Sequence, residues 1–463
     1  MTERRPSARA AIALVTDGFE ELPRARREYV PDGPLGWHGY DASRARAAER
    51  TGEEESVVCG TAEVEGTRAV LIAFEFGFLG GSLGERTGDR LEAAYTYARE
   101  HRLPVVPLIA TGGSRMQEGM RALTQLQRVA RQSVLTREAG LPQIAVLRDP
   151  TTGGGWATLG AGADVVLALP GAQVGFAGSR VRPADADPAA YTAEAQVAAG
   201  AADAVVPPGE LRSTLGRWLR LLTAPTATPT ATPTAAPPGT SSAEPAPPPL
   251  PLGETGLPAS GWEAVLRARA PHRPRAERYL DAYFTERVTL SGDRCGGTDD
   301  GMLCGFGAHE GRTVAYAAQT GTATRPAGFR TAARLIRLAD RLGIPVLTLV
   351  DTPGAANDAE AERQGAGAAI AELFGAVAGA RTPLTTLVIG EGGSGGALAL
   401  AAPGNTWATP DSYFSVIAPE LAAAILKRPG TEVEATADQL LIRPQDVERL
   451  GVARVRTGEQ VLP

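Results

Sequence analysis

The sequence predicts an α/β protein made of two similar domains, each built on a mostly parallel sheet. Three observations support this fold class. Short apolar runs alternate with segments of helical spacing, which is typical of a sheet covered on both faces by helices. A segment rich in proline, alanine and threonine divides the chain over residues 223–261. Motifs on the two sides of that segment recur in the same order.

Composition limits the class of protein. At 463 residues the chain is too long for one ordinary hydrophobic core. Hydrophobic residues make up 43% and charged residues 21%, as in soluble globular proteins. A net charge of -6 provides no broad attraction to nucleic acid or to an anionic membrane. We therefore expect neither as a partner, and any anionic ligand must be bound by a local site.

Cysteine usage and the N-terminal residues indicate the compartment. Cys59, Cys295 and Cys304 are scattered and form no C-x-x-C pair, which argues against a disulfide framework or a cysteine zinc site. No H-E-x-x-H sequence is present, so we expect no metal to be bound by this chain. The apolar run at 10–15 is too short for a signal-peptide core. A cytoplasmic protein is expected.

The first half of the chain begins with a charged lead. Residues 1–30 contain few apolar positions, so we expect them to be poorly ordered or to wrap the surface. The first domain is expected over residues 31–222. Its predicted elements are a hairpin turning at Glu65-Gly66, a glycine-rich loop (77–84), a helix (89–101), a strand (105–110), a long helix (117–139), a strand (144–147), a glycine turn (152–155), a helical start (156–162) and short strands (165–169 and 173–176).

The dividing segment over residues 223–261 is predicted to be an extended, semi-rigid linker. Its composition cannot bury enough apolar surface to offset the entropy lost on ordering.

The second domain, over residues 262–463, repeats the order of the first. Pro104 and Pro345 lie 241 positions apart, as do Pro142 and Pro383 (from 104 to 345 and from 142 to 383). A register shared by two strand–turn–helix units indicates a duplicated domain. The predicted elements are a hairpin-like unit (303–318), a helix (326–342), a strand (346–350), a helix (366–380) and a strand (385–389) that enters a glycine-rich turn.

Two glycine pairs stand between a strand and a helix: Gly153-Gly154 in the first domain and Gly395-Gly396 in the second. A single such pair is most often only a tight turn, because glycine adopts positive φ and permits close approach. Two pairs within one residue of the same register favour another interpretation. Bare backbone N–H groups at the start of a helix bind anionic oxygens, so we predict two oxyanion holes.

Motifs of side-chain catalysis are missing from the sequence. Residues 112–119 lack the spacing of a P-loop, and Arg115 in that stretch either binds a ligand phosphate or caps a backbone carbonyl. The sequence around Ser394 does not form a G-x-S-x-G motif with its triad, and the four histidines lie in surface-like or helical contexts. We therefore expect an enzyme that stabilises oxyanions with main-chain donors, while the substrate or a cofactor moves protons.

Seven motifs, in this order, resemble those of one enzyme family. They lie at 74–84, 112–119, 149–154 and 175–181 in the first half, and at 351–355, 390–399 and 413–420 in the second. The first half resembles the beta subunit, and the second half the alpha subunit, of the carboxyltransferase component of bacterial acetyl-CoA carboxylase. This resemblance implies two crotonase-like (ClpP/crotonase) beta-beta-alpha spiral domains in one chain.

The resemblance also implies a reaction. Carboxybiotin on a carrier protein releases CO2, the biotin enolate takes the α proton of an acyl-CoA, and the thioester enolate captures the CO2. By position, Gly153 and Gly154 would hold the thioester oxygen, while Gly395 and Gly396 would hold the biotin ureido oxygen. The remaining motif residues implied to bind substrate are Gly112, Gly113, Arg115, Gly354, Ala355, Gly392 and Gly393.

Partners follow from the same resemblance. The sequence contains no biotin-accepting Met-Lys-Met and no ATP-binding carboxylase domain, so a separate biotin carboxyl carrier protein and biotin carboxylase are expected. A homodimer or higher homo-oligomer is implied as well. Acetyl-CoA, which would become malonyl-CoA for fatty acid synthesis, is the first candidate substrate, and propionyl-CoA is the second.

Three departures from the family pattern leave alternatives open. The N-terminal four-cysteine zinc ribbon is missing, the loop at 319–328 is short, and Trp156 follows the first glycine pair. A specialised carboxylase or decarboxylase that acts on another acyl-CoA or on a carrier-bound acyl thioester is one alternative. A non-catalytic homologue is the other.

Overall fold

A computed structural model describes residues 5–23, 28–223 and 243–458. Its contacts divide the chain into two units, the first comprising residues 1–223 with 294–296, and the second comprising residues 224–293 and 297–463. Among the described helices, none is long and apolar enough to cross a membrane.

The first unit contains a mixed sheet, which its described residues form from eight strands in the order β1-β2-β3-β4-β5-β6-β8, with β7 beside β5. The pairs β1–β2 and β2–β3 are antiparallel, and the following pairs are parallel. The strands are β1 (Phe19–Glu21), β2 (Val57–Val64), β3 (Thr67–Phe74), β4 (Val105–Thr111), β5 (Ile144–Thr152), β6 (Val165–Ala168), β7 (Val174–Gly175) and β8 (Ala204–Val205).

Helices connect the parallel strands of this sheet and cover it. Their apolar positions follow helical spacing, as at Leu91, Ala94, Tyr95 and Ala98, all of which are buried. The helices are α1 (Ala8–Val15), α2 (Tyr40–Thr51), α3 (Glu85–Glu100), α4 (Gly119–Leu123), α5 (Gln125–Glu138), α6 (Gly153–Gly155), α7 (Ala193–Ala198) and α8 (Pro208–Thr223).

Of the two alternatives expected for the N-terminal lead, poor order or a segment that wraps the surface, the described residues do not support poor order. Within residues 1–30, Ala8–Val15 form a helix and Phe19–Glu21 form a strand paired with β2. Ser7 caps the helix by accepting a hydrogen bond from the Ala10 amide at 3.1 Å. Ile12 and Val15 are buried, so a few well-spaced apolar residues suffice to anchor this segment.

The prediction of one long helix over residues 117–139 is wrong in one respect, because the structure has two separate helices there. A 3-10 turn at Met116–Glu118 precedes α4, and α5 starts only at Gln125. Gly119 has a φ of +54°, which lies outside the right-handed helical region. A continuous helix therefore cannot pass through this position.

The hairpin between β2 and β3 turns where the sequence predicts. Glu65 and Gly66 have φ values of +48° and +81°, as a two-residue type I′ turn requires. The second unit repeats this turn between β10 (Met302–His309) and β11 (Arg312–Gln319), where Glu310 and Gly311 have φ values of +49° and +77°.

The second unit has the same architecture. Its described residues form a sheet of eight strands in the order β16-β14-β13-β12-β11-β10-β9, with β15 beside β13. The other strands are β9 (Glu286–Leu290), β12 (Val346–Thr352), β13 (Leu384–Gly393), β14 (Thr406–Ala408), β15 (Tyr413–Ser415) and β16 (Arg454–Val455). The helices are α9 (Gly261–Arg269), α10 (Ala276–Tyr283), α11 (Pro326–Leu342), α12 (Ala359–Arg363), α13 (Ala366–Gly379), α14 (Ser394–Leu398), α15 (Pro419–Ile425), α16 (Val433–Gln439) and α17 (Pro444–Arg449).

Strand pairing has the same register in both units. Leu108 on β4 pairs with Val146 on β5, and Leu349 on β12 pairs with Leu387 on β13. Both residues of the second pair lie 241 positions after those of the first (from 108 to 349 and from 146 to 387). The structure thus has the register that the sequence predicts for a duplicated domain.

Part of the predicted linker packs against the second unit. Residues 224–242 of the linker lie outside the described part, but residues 243–260 contact the second unit. The Pro247 carbonyl accepts a hydrogen bond from the Tyr283 hydroxyl at 2.9 Å, and the Ala246 carbonyl accepts one from the Thr385 hydroxyl at 2.7 Å. Proline lacks an N–H group but keeps its carbonyl, so side-chain donors can hold a proline-rich segment in place.

Candidate active site

Two glycine turns lie against each other in the first unit. Gly112-Gly113 follow β4, and Gly153-Gly154 follow β5 at the start of α6. A Cβ atom on Gly113 would lie 3.6 Å from the Gly153 Cα and 3.9 Å from the Gly154 amide nitrogen. A Cβ atom on Gly153 would lie only 3.1 Å from the Gly113 Cα, and Gly113 and Gly153 have φ values of +105° and +65°, which favour glycine at both positions. We call these four residues the first glycine cradle.

The second unit places its motif residues in the same way. Gly354-Ala355 follow β12, and Gly395-Gly396 lie in α14 after β13. A Cβ atom on Gly396 would lie 2.4 Å from the Ala355 amide nitrogen, so the two main chains are in direct contact. Gly354 has a φ of +141° and donates its amide to the Thr352 hydroxyl at 3.1 Å. We call residues 354, 355, 395 and 396 the second glycine cradle.

The cradles leave some backbone accessible. Gly395 is half-buried, and no atom other than those of its chain neighbours lies within 4 Å of the place that a Cβ atom would take. Gly112 is exposed. The first amides of a helix have no carbonyl partner within the helix. In the first cradle, however, the Gly112 amide donates to the Gly80 carbonyl at 2.8 Å and the Gly153 amide donates to the Phe176 carbonyl at 3.0 Å.

Gly392 and Gly393 differ from the cradle residues because both are buried. A Cβ atom on Gly393 would lie 2.1 Å from the Pro353 carbonyl oxygen, and one on Gly392 would lie 2.7 Å from the Phe414 ring. Both α-carbons therefore face neighbouring protein atoms. These glycines allow β13 to approach its neighbours, and the expected direct substrate contact gains no support from their position.

The structure shifts the correspondence between the two glycine pairs by one residue. Gly153 begins α6 with a φ of +65°, and Ser394 begins α14 with a φ of +58°. The positions are 241 residues apart (from 153 to 394), so Gly154 corresponds to Gly395. One left-handed residue at the start of each helix is thus shared by both units, and in the second unit it carries a side chain.

Arg115 requires a correction, because it is not placed to bind a ligand. The residue is 1% exposed, and its guanidinium forms an ion pair with Glu55 inside the first unit. It also lies 3.4 Å from the Glu118 carboxylate. Burial by itself raises the pKa of Glu55, but the charge and hydrogen bonds of Arg115, together with the Ser56 amide and the charge of Arg44, outweigh this effect and lower that pKa to about 2. Both groups are therefore charged at neutral pH, and neither reaches solvent.

A second buried ion pair was not found from the sequence. Asp351 is the penultimate residue of β12, just before the second glycine cradle, and is 0% exposed. Arg273 donates hydrogen bonds to its two carboxylate oxygens at 2.6 and 2.8 Å, and the Glu391 amide donates another at 3.2 Å. Asp351 lies in the motif at 351–355, whereas Arg273 lies 78 residues before it, outside the family motifs.

Trp156 and two of the histidines, His101 and His309, pack against other side chains of the fold. Trp156 is 8% exposed and belongs to the core of the first unit, where its ring fills the space beside Gly160. His309 stacks on Tyr283 with ring centroids 3.6 Å apart, and His101 stacks on Tyr97 at 3.8 Å. Within residues 5–23, 28–223 and 243–458, no group of three or more acidic, histidine or cysteine side chains could hold a metal ion.

Large apolar side chains are exposed near both cradles. Phe176, which follows β7, is 74% exposed, and Val416, which follows the corresponding strand β15, is 73% exposed. Other exposed apolar residues of these regions are Met116, Met120 and Val181 in the first unit and Leu398, Leu421 and Ile425 in the second.

Solved structures share this fold. Over 98% of this chain and 87% of the other, the chain is similar to transcarboxylase 12S with a TM-score of 0.77 at 20% identity. A single-chain, multi-domain long-chain acyl-CoA carboxylase has a TM-score of 0.71 at 19% identity, over 97% of this chain and 44% of that one. At these identities the comparison shows the fold alone, which is crotonase-like in both units.

Sequence comparisons give the family. A model described as "Carboxyl transferase domain" matches residues 36–206, and one described as "Acetyl co-enzyme A carboxylase carboxyltransferase-like" matches residues 258–456. The acetyl-coenzyme A carboxylase carboxyl transferase subunits beta/alpha of Salinispora arenicola are 39% identical, over 96% of this chain and 81% of the relative. The corresponding protein of Saccharopolyspora erythraea is 38% identical, over 89% of this chain and 73% of the relative. The chain therefore belongs to the acetyl-coenzyme A carboxylase carboxyltransferase family, with a beta-like half followed by an alpha-like half.

Proposed function

We propose that this chain transfers a carboxyl group from carboxybiotin on a carrier protein to the α-carbon of an acyl-CoA, with acetyl-CoA first and propionyl-CoA second. The observation that carries the proposal is the matched pair of glycine cradles. A transfer between two carbonyl-like groups needs two places where a developing negative charge is stabilised. The duplicated chain provides one cradle in each unit, within one residue of the same register.

In this proposal the first cradle serves the acyl thioester. The Gly154 amide donates a hydrogen bond to the thioester oxygen as negative charge develops on it, whereas the Gly113 and Gly153 amides already donate to the Thr111 hydroxyl at 3.1 Å and the Phe176 carbonyl at 3.0 Å. The Gly154 amide is already oriented before the reaction, because the two turns are in backbone contact. Removal of one comparable donor typically costs about 10²–10³-fold in rate.

The second cradle would hold the ureido oxygen of biotin. When bound, carboxybiotin supplies the carboxyl group and its ring supplies a base, which accounts for the lack of a side-chain base in the motifs. The residues fit this group, because the turn at Gly395 is open to solvent on the side where a Cβ atom would project. Gln319, the last residue of β11, donates a hydrogen bond to the Gly396 carbonyl at 3.1 Å and so helps to orient the turn.

The choice of acetyl-CoA is supported by relatives that are named as acetyl-coenzyme A carboxylase subunits. A relative from Mycobacterium tuberculosis, 33% identical over 89% of this chain and 82% of its own length, is named a probable biotin-dependent acyl-coenzyme A carboxylase beta3 subunit. One methylene group changes binding by only about 1–3 kcal/mol in an apolar pocket, so propionyl-CoA stays the second candidate. Trp156 gives no reason for an altered acyl pocket, since its ring lies in the core.

We further propose that a biotin carboxyl carrier protein and a biotin carboxylase act with this chain, and that it works in the cytoplasm as a homodimer or larger homo-oligomer. Exposed Phe176 and Val416 near the two cradles support association between copies, since large exposed apolar groups gain free energy when covered.

The reverse reaction tests the proposed chemistry. Purified protein should consume malonyl-CoA in the presence of the biotin derivative biocytin, and omission of biocytin should stop the loss. Absence of turnover with both malonyl-CoA and methylmalonyl-CoA would overturn the proposal. Loss without biocytin would instead support a decarboxylase.

Gly395→Ala tests the second cradle. The new methyl group meets no protein atom within 4 Å, so it should enter the ligand space without disturbing the fold. We expect at least about a 100-fold fall in biocytin-dependent turnover. Gly375→Ala in α13 is the matched control, because its added Cβ is also unopposed. Gly396 is unsuitable for this test, since its Cβ would strike the Ala355 amide.

A further inference from the structure

We propose that Arg115 is a positioning residue that fixes the first glycine cradle through its buried ion pair with Glu55. This inference rests on the proposed function of that cradle. It assigns Arg115 no contact with substrate.

The guanidinium of Arg115 joins three parts of the chain. Its Nη1 donates to the Tyr40 hydroxyl on α2 and to the Glu55 carboxylate, both at 3.1 Å. Its Nε and Nη2 donate to the hydroxyl and the carbonyl of Ser82 at 3.1 and 2.7 Å. Ser82 lies in the glycine-rich loop over 77–84, so the guanidinium ties this loop to α2 and to the segment before β2.

The same glycine-rich loop is also bonded to the cradle by backbone contacts. The Gly112 amide donates to the Gly80 carbonyl at 2.8 Å, and the Leu83 amide donates to the Gly113 carbonyl at 2.8 Å. The Arg115 amide then donates to the Leu83 carbonyl at 2.9 Å. A displacement of the loop would therefore move Gly113 relative to Gly154.

The second unit shows that the fold does not require an arginine here. It repeats the backbone contacts, because the Thr324 amide donates to the Gly354 carbonyl at 3.1 Å and the Ala356 amide donates to the Thr324 carbonyl at 2.9 Å. Ala356 occupies the position that corresponds to Arg115, 241 residues later. The same turn thus forms around a buried methyl group.

A buried guanidinium is costly to desolvate, and a well-packed apolar residue often replaces a buried ion pair without loss of stability. We therefore attribute the presence of an arginine at position 115 to the directions of its hydrogen bonds and not to a gain in stability. Its planar fork donates in fixed directions to Glu55 and Ser82, and a lysine ammonium cannot reproduce this pattern.

Arg115→Lys is the principal test, with Arg128→Lys as the matched control. Arg128 lies in the same unit and pairs with Asp89 at 3.0 Å, but its side chain is 33% exposed. In the malonyl-CoA and biocytin assay we expect Arg115→Lys to lower kcat at least about 10-fold per folded molecule. The KM for malonyl-CoA should stay within about threefold of wild type, because an oriented amide acts mainly on the transition state. Arg128→Lys should keep kcat within about twofold.

Hydrogen exchange provides a readout that does not depend on activity. In Arg115→Lys the amides of residues 77–84 and 110–119 should exchange at least about 10-fold faster than in wild type, while those of α11 stay unchanged. Should this variant fail to fold, Ser82→Ala removes one acceptor and keeps the ion pair, and it should raise exchange in the same two segments.

The outcomes separate the two proposals. A kcat within twofold of wild type, or exchange in residues 110–119 equal to that of Arg128→Lys, would overturn the positioning role. If the wild-type protein shows no biocytin-dependent loss of malonyl-CoA, the proposed function fails, and the exchange measurement still decides whether Arg115 orders the cradle.

Discussion

Gly153 and Ser394 occupy corresponding positions with the same left-handed backbone, yet only one of them lacks a side chain. The left-handed region costs a non-glycine residue about 1–2 kcal/mol. Ser394 therefore carries strain that Gly153 avoids, and exchanging the two residue types should shift stability in opposite directions.

We predict that Ser394→Gly raises the free energy of unfolding of the second unit by up to about 1 kcal/mol. Gly153→Ala should lower that of the first unit by about 1–2 kcal/mol, because the backbone has a φ of +65° and the new Cβ would lie 3.1 Å from the Gly113 Cα. Denaturant unfolding monitored by hydrogen exchange in each unit measures both. Equal signs for the two variants would contradict this account.

Acid should weaken the first unit through Glu55. Burial raises its pKa, but the combined effect of Arg115, the Ser56 amide and the charge of Arg44 is larger and lowers the pKa from an ordinary 4.5 to about 2. A lowered folded-state pKa gives stability that is complete above about pH 4.5 and is lost as the pH falls towards 2, at about 1.4 kcal/mol per pKa unit. The denaturation midpoint of wild type should fall more steeply between about pH 5 and 2 than that of Glu55→Gln. Parallel curves would show that Glu55 does not titrate in this way.

Sequence reasoning located the glycine turns but left two roles open for Arg115, a ligand phosphate or a backbone carbonyl, and the structure has the carbonyl contact, to Ser82 at 2.7 Å. Glycines between strand and helix are visible in the chain, because each turn is local. The surroundings of an arginine are not local: Glu55 is 60 residues away in sequence, and Tyr40 is 75 residues away. A ligand-binding arginine and a buried one look the same until the partner is known.

At the level of elements, the two hairpins provide a matched test of turn chemistry. Both place a glutamate at the first left-handed position, although asparagine is favoured there. Glu310→Asn should raise the stability of the second unit by about 0.5 kcal/mol. Gly311→Ala, at a φ of +77°, should lower it by about 1 kcal/mol or more. Thermal unfolding compares the variants, and a loss of stability in Glu310→Asn would refute the assignment.

Helix limits were predictable where local signals were strong. The helix predicted over residues 326–342 is found as Pro326–Leu342, because proline starts it and Gly343 ends it with a φ of +69°. The break at Gly119 was missed, because glycine is tolerated in a helical pattern and only its positive φ shows that the helix stops. A helix cap depends on residues close in sequence. The break at Gly119 instead lies beside Leu35, which is far away in the chain.

For the whole molecule, we predict that the purified protein is a homodimer or larger, with a mass at least twice 48.0 kDa. Phe176 and Val416 are expected to be covered by another copy, since each is almost three-quarters exposed. Val416→Glu together with Phe176→Glu should lower the mass measured by light scattering and reduce turnover. Glu434→Gln, a polar change on α16, serves as the control for charge alteration. A wild-type mass near 48 kDa would contradict the prediction.

The contacts of residues 243–260 bear on where the chain can be divided for protein engineering. From composition alone, the chain could be divided at any position of the predicted linker, up to residue 261. A cut after residue 242 instead preserves the hydrogen bonds of Ala246 and Pro247 with Thr385 and Tyr283. If this enzyme is produced as two polypeptides from separate reading frames, the second polypeptide should therefore start at residue 243, so that it includes the proline-rich residues 243–260.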